Sequence, residues 1–150
     1  MPHFGLIDDS LQQADASLLR ARLHVRGGKI RLSEGRKEDG VAALYDAQVH
    51  AMFRYFDSSE LRSDLPIGDD DDLNDDRTLF IILKKAGVID STMDVQDFDY
   101  IYQIMDDAIE DNMIEFDEHQ FMFRFNRIMI SLKALPFDES ELPKRIPETL

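Results

Sequence analysis

The side chains best suited to chemistry in this chain are its carboxylates and four histidines, His3, His24, His50 and His119. Asp46 and His50 stand one helical turn apart, a spacing at which two ligands can share a metal. No third ligand accompanies them, and no Glu-x-x-His tetrapeptide exists. A di-iron bundle is therefore set aside, and the pair reads as two polar groups on a helix surface. Asp69, Asp70, Asp71 and Asp72, with Asp75 and Asp76, offer the hard oxygen donors that calcium or magnesium prefers. Consecutive carboxylates on a loop point in different directions. They read as a solvated, self-repelling segment whose last members favour the positive end of a following helix. Cysteine is absent, which removes disulfides, thiolate zinc sites, iron–sulfur clusters and thiol nucleophiles. The serines have no Gly-x-Ser-x-Gly setting, and Gly27, Gly28 and Gly35 match no phosphate loop. No catalytic constellation is found, and no cofactor is expected.

Residues 107–118 resemble a calcium-binding EF-hand loop. Asp107, Asp111, Ile114, Glu115 and Glu118 fall at its first, fifth, eighth, ninth and twelfth positions, and Phe121 follows as an apolar residue. Ile109 replaces the third-position oxygen donor, and Asn112 stands where glycine makes the sharp turn. Asparagine tolerates a left-handed backbone better than most residues. The resemblance makes Asp107, Asp111, Glu115 and Glu118 a calcium candidate. The plainer reading is a link between two helices with Asp117 as the cap.

The 150 residues carry 31 acidic and 17 basic side chains, a net charge of −14, which argues against broad duplex binding. The cations are unevenly placed. Arg20, Arg22, Arg26, Lys29, Arg31, Arg36 and Lys37 lie close together with only Glu34 opposing them. Arg22, Arg26 and Lys29 have the spacing of one helix face, a candidate patch for an anion, RNA or an acidic partner. Internal compensation by the acidic loop is the alternative.

These side chains need helices to position them. Leu11, Ala14, Leu18, Ala21, Val25, Gly28, Leu32 and Gly35 recur at alternating intervals of three and four. The spacing predicts one helix over 8–34, with a heptad stripe of large and small residues that lets a partner helix approach. Gly27 and Gly28 stay in phase, although each costs roughly 1 kcal/mol relative to alanine. One helix with a soft middle is expected, with a break there as the alternative. Gly35 suits a left-handed stop. A second helix is predicted over 38–56, with Val41, Leu44, Tyr45, Gln48, Met52 and Phe56 on one side. Ala42, Ala43, Ala47 and Ala51 keep it slim, and the short link makes an antiparallel hairpin.

The stretch 57–76 holds Pro66, Gly68 and many carboxylates and reads as an exposed loop. Further helices are predicted over 75–87, 95–111 and 117–134. Gly87 stops the first, Asp94 or Ser91 caps the second, and Asp117 with Gln120 caps the third. The last helix is apolar on more than one side, through Phe121, Met122, Phe123, Phe125, Ile128, Met129, Ile130 and Leu132. It must be the centre of the bundle or be covered by another chain. Pro136, Pro143 and Pro147 keep the tail from being helical, and Phe137 and Leu142 are expected to pin it along the bundle. The expected fold is all-α: one domain over 1–150, a five-helix up-and-down bundle with a long N-terminal hairpin, an acidic loop over 57–74 and a proline-containing tail over 135–150.

Residues 29–56, with Leu44, Tyr45, Asp46 and Ala47 on the Ala-rich helix, resemble the helical hairpins of HEPN-type bundles, families that often include ribonucleases. The resemblance implies RNA or nucleotide binding along Arg22, Arg26 and Lys29. The catalytic signature of those families, an Arg followed after four to six residues by His, is missing. Only three residues separate Arg20 from His24, and neither His50 nor His119 has an Arg in place. With no catalytic set, a heptad stripe and an over-apolar last helix, the expectation is a non-enzymatic regulatory or scaffold protein. It would act by helix packing, as a homodimer or with a protein partner. No basic region precedes an apolar run at the N-terminus, and no stretch reaches the roughly 18 apolar residues of a membrane helix. A cytoplasmic protein without a membrane partner is therefore expected.

Overall fold

The alternation of three and four becomes the buried seam of a hairpin. A computed structural model describes residues 13–113 and 115–143. Helix α1 (Gln13–Ser33) runs unbroken through Gly27 and Gly28, both buried. Its expected first turn and Leu11 lie outside the described residues. Helix α2 (Lys37–Asp57) returns antiparallel, and the two cross where neither backbone carries a side chain. A Cβ built on Gly28 would stand 2.7 Å from the Leu44 side chain and 3.1 Å from the Gly40 carbonyl oxygen. One built on Gly40 would stand 2.8 Å from Leu32 and 3.0 Å from the Gly28 carbonyl oxygen. The glycines that weaken α1 as an isolated helix thus set its distance from α2. Ser17 Oγ closes the far end of the hairpin by donating to Asp57 Oδ2 at 2.9 Å. The heptad stripe of α1 is consumed here: Ala21, Val25 and Gly28 are buried within the chain.

The acidic stretch contains one short helix, α3 (Ser59–Arg62), and then turns. Its carboxylates act locally. Asp71 accepts from the Gly68 N–H, Asp72 from Asn74, and Asp75 from both the N–H and hydroxyl of Thr78. Asp75 thereby caps α4 (Asp76–Lys85). Asp94 caps α5 (Val95–Ile109), and Asp97 answers by accepting from the Asp94 N–H, a complete capping box. Asp117 caps α6 (Glu118–Ser131) by accepting from the Gln120 N–H. The chain is all-α, and no strand occurs among the described residues. No helix of the described residues is long and apolar enough to cross a membrane.

Helix α2 is the centre. It touches α1, α4, α5 and α6. This corrects the expectation for the last helix. Helix α6 buries Phe121, Phe125, Ile128 and Met129 but leaves Phe123 and Ile130 exposed. Four helices end with an i to i−5 backbone bond around a left-handed residue. That residue is Gly35 after α1 and Gly87 after α4, as expected, but Asp111 after α5 and Lys133 after α6. The sharp turn of the 107–118 loop is therefore made by Asp111, one residue before the asparagine in the glycine position.

Two expectations follow for stability. Gly28→Ala gains about 1 kcal/mol of helix propensity but overpacks the crossing, which costs about 1–3 kcal/mol. Urea unfolding should show a net loss. Gln48 is fully buried on α2, and neither its Nε2 nor its Oε1 has a hydrogen-bond partner. Gln48→Met keeps the volume and removes that penalty, so the urea midpoint should rise, with a gain of about 1–3 kcal/mol.

Candidate interaction surface

Arg22, Arg26 and Lys29 lie along one side of α1, but two of them are already engaged. Beyond α6 the chain turns at Lys133, and residues 134–143, here called the strap, run back across α1. Arg22 Nε donates to the Ala134 carbonyl oxygen at 3.1 Å, and its guanidinium lies 5.7 Å over the Phe137 ring. Arg26 Nη1 donates to the Pro143 carbonyl oxygen at 2.8 Å and stands 3.8 Å from the Glu139 carboxylate. Burial lowers the Arg22 pKa from its ordinary value, and the charge of Glu141 raises it back in part. Leu142 is buried against Leu23, with Leu19 and Phe137 beside them. Phe137 and Leu142 thus pin the tail as their apolar character suggested. The role of the arginines as ligands of strap carbonyls was not legible, because a carbonyl leaves no mark in a sequence.

The outer face of α6 is less covered. His119, Phe123, Asn126 and Ile130 recur at intervals of four, three and four, a single stripe of a helix. Phe123 is 53% exposed and Ile130 56%. Arg127 lies 5.6 Å over the Phe123 ring while its Nη2 donates to Thr92 Oγ1. In the middle of the stripe, Asn126 Oδ1 is buried and has no hydrogen-bond partner. Beside it runs a groove of about 500 Å³, lined by Lys29, Asn126, Ile130, Leu135, Pro136 and Phe137. The stripe was readable from spacing alone. Asn126 and His119 interrupt its apolar character.

A third cluster lies at the start of α4. Tyr45 Oη donates to Asp76 Oδ2 at 2.6 Å. Burial, then this bond and the Asp76 charge, raises the Tyr45 phenol far above its ordinary value. Burial and the charge of Asp76 also raise the neighbouring Asp46 carboxyl. Tyr45, Phe98 and Tyr102 pack together, and Arg77 holds Asp99 through Nε at 2.9 Å and Nη2 at 3.3 Å. His50, the suggested metal partner of Asp46, instead stacks on the buried His24 with ring centroids 5.4 Å apart.

The calcium candidate is not assembled. Among the described residues no three His, Asp or Glu side chains gather as ligands for one ion. Asp107 accepts from Gln103 Nε2, and Asp111 occupies the left-handed stop of α5. Asp107 and Glu115 line one open cleft, but Asp111 and Glu118 do not join them there. The backbone spends the loop on ending one helix and capping the next, which takes Asp111 for the turn.

No protein-family model, curated protein or solved structure matches this chain. The reading of its surface therefore rests on the geometry above.

The Asp46 shift has a testable sign. Its folded pKa is raised, so it stabilises the fold only while protonated and loses that contribution as pH rises through the folded pKa. Asp46→Asn should raise the melting temperature at neutral pH. The gain should shrink to nothing as pH falls below the ordinary carboxylate range.

Proposed function

We propose that this chain is a non-enzymatic interaction protein that works as a homodimer through the outer face of α6. The observation that carries the reading is the exposed apolar pair Phe123 and Ile130, two turns apart on one face of α6, with Asn126 between them. A polar Asn within an apolar helical seam is a known device for setting register and oligomeric state. In an isologous pairing about a two-fold axis, the stripe meets its own copy, with Asn126 near the axis. Phe123 and Ile130 then leave water together.

Electrostatics favours this face over others for self-association. A chain of net charge −14 repels its own copies. At the α6 stripe, Lys29 lines the groove together with one carboxylate, Glu139, and Arg127 lies over the Phe123 ring. The stripe alone is small for a stable interface, which buries about 1,200–2,000 Å² in all. The adjoining groove supplies additional apolar wall from Leu135, Pro136 and Phe137.

RNA binding along Arg22, Arg26 and Lys29 has less in its favour, since the strap lies across the first two.

Sedimentation equilibrium tests the reading. Wild-type chain at tens of micromolar should sediment at twice the mass of one chain. Phe123→Glu with Ile130→Glu, both exposed substitutions, should sediment at the mass of a single chain with an unchanged helical circular dichroism signal. A wild-type monomer at that concentration would sink the proposal.

A further inference from the structure

The strap binds α1 in the manner of a foreign peptide. Beyond its root at Ala134 and Leu135 in the main core, it is held by two backbone carbonyls on arginines, two apolar anchors and one loose ion pair. Carbonyl recognition by Arg22 and Arg26 suits any extended chain, whatever its side chains. Selectivity comes from Leu142 in its small cluster with Leu19 and Leu23, and from Phe137 under the Arg22 guanidinium. Between the anchors stand Asp138, Glu139 and Glu141; Glu139 lies 3.8 Å from Arg26, and the charge of Glu141 acts on Arg22. Asp138 caps a single tight turn, Glu139–Glu141, that sets the spacing of the anchors. The Leu23 and Leu142 cluster is distinct from the main core, Phe137 packs against both, and the strap is rooted in the main core through Ala134 and Leu135. The joint at the root of the strap is also strained. Lys133 has φ +62°, a left-handed conformation that costs a non-glycine residue about 1–2 kcal/mol.

We propose that the α1 face under the strap is a docking site for an extended acidic peptide of a partner protein, one that presents an aromatic and a leucine anchor. Residues 134–143 are its intramolecular occupant. The seated strap is the template for the ligand, and the charge opposition selects an acidic one. Tethering gives the strap a high effective concentration, so the partner competes with it and gains access when it lifts. This site lies on α1, although Leu135, Pro136 and Phe137 of the strap also wall the groove beside α6; peptide binding reads the one proposal and sedimenting mass the other.

The test uses the full chain and a fluorescein-labelled peptide copying residues 134–143, with binding read by fluorescence anisotropy. Phe137→Ser with Leu142→Ser removes both anchors and leaves the face open. This variant should bind the peptide at least about tenfold more tightly than wild type, whose own strap competes. Adding Arg26→Glu should abolish the binding. An anchor variant that keeps its helical signal yet binds no more tightly than wild type overturns the proposal. A second variant covers the case in which the first does not fold. Lys29→Cys with Glu139→Cys, both on the groove rim, can be joined by a short bis-maleimide, since the chain has no other cysteine. Peptide binding at millimolar concentration that the cross-link abolishes supports the proposal. Equal binding with and without the cross-link, or none in either form, overturns it. Cross-linked dimers in place of an internal link would assign the face to the strap of a second copy and overturn the partner reading.

Discussion

The close approach of α1 and α2 at Gly28 and Gly40 is the constraint on which the rest depends. Helices normally keep 8–10 Å apart because side chains stand between them. Here each glycine leaves room for a leucine from the facing helix, Leu44 over Gly28 and Leu32 over Gly40, and each glycine carbonyl faces the other glycine. A hairpin this tight presents α2 as one side of a thin double layer. The other side of α2 is then free to receive α4, α5 and α6. Tyr55 shows how directly they are tied, since its hydroxyl donates to the Leu132 carbonyl oxygen at the end of α6 at 2.9 Å. A helix used on so many sides cannot keep all its polar groups outside. Gln48 is buried without hydrogen bonds as a consequence.

The charge distribution follows a related logic. In a strongly acidic chain, carboxylates are stable where a backbone N–H is available to them. Asp75, Asp94, Asp117 and Asp138 take helix starts, and Asp71, Asp72 and Asp90 close turns. The cations are used differently. Arg124 reaches from α6 to Asp97 and lies over Tyr100, and Lys37 donates to the Met113 carbonyl oxygen. Arg22 and Arg26 hold the strap. Many acidic groups therefore shape elements locally, while Arg22, Arg26, Lys37 and Arg124 join elements that are distant in sequence. The basic segment of α1 is less a free patch than a set of clasps.

Helix starts were legible because their chemistry is local. An Asp at the N-cap satisfies N–H groups two or three residues away, and no distant residue needs to be known. The left-handed stops at Gly35 and Gly87 were legible for the same reason. Those at Asp111 and Lys133 were not, since nothing in their side chains requires a positive φ. In the 107–118 loop, spacing placed the carboxylates in order, but Asp111 serves as the left-handed stop of α5.

The sequence by itself determined the helical class, the extents of the main helices, their caps and the antiparallel hairpin. All of these arise from interactions within about one helical turn or from a short link. The tertiary structure alone decided which amphipathic face meets which. The apolar excess of α6 suggested a central helix, yet the small residues of α2 allowed it to be approached from more sides. The heptad stripe of α1 suggested a second chain, yet α2 covers it. The pairing of Arg22 and Arg26 with carbonyls more than 100 residues away was likewise decided only in three dimensions. Spacing along a chain records what a helix offers to its surroundings. What accepts the offer depends on how closely other backbones can approach, and here two glycines without side chains settled that.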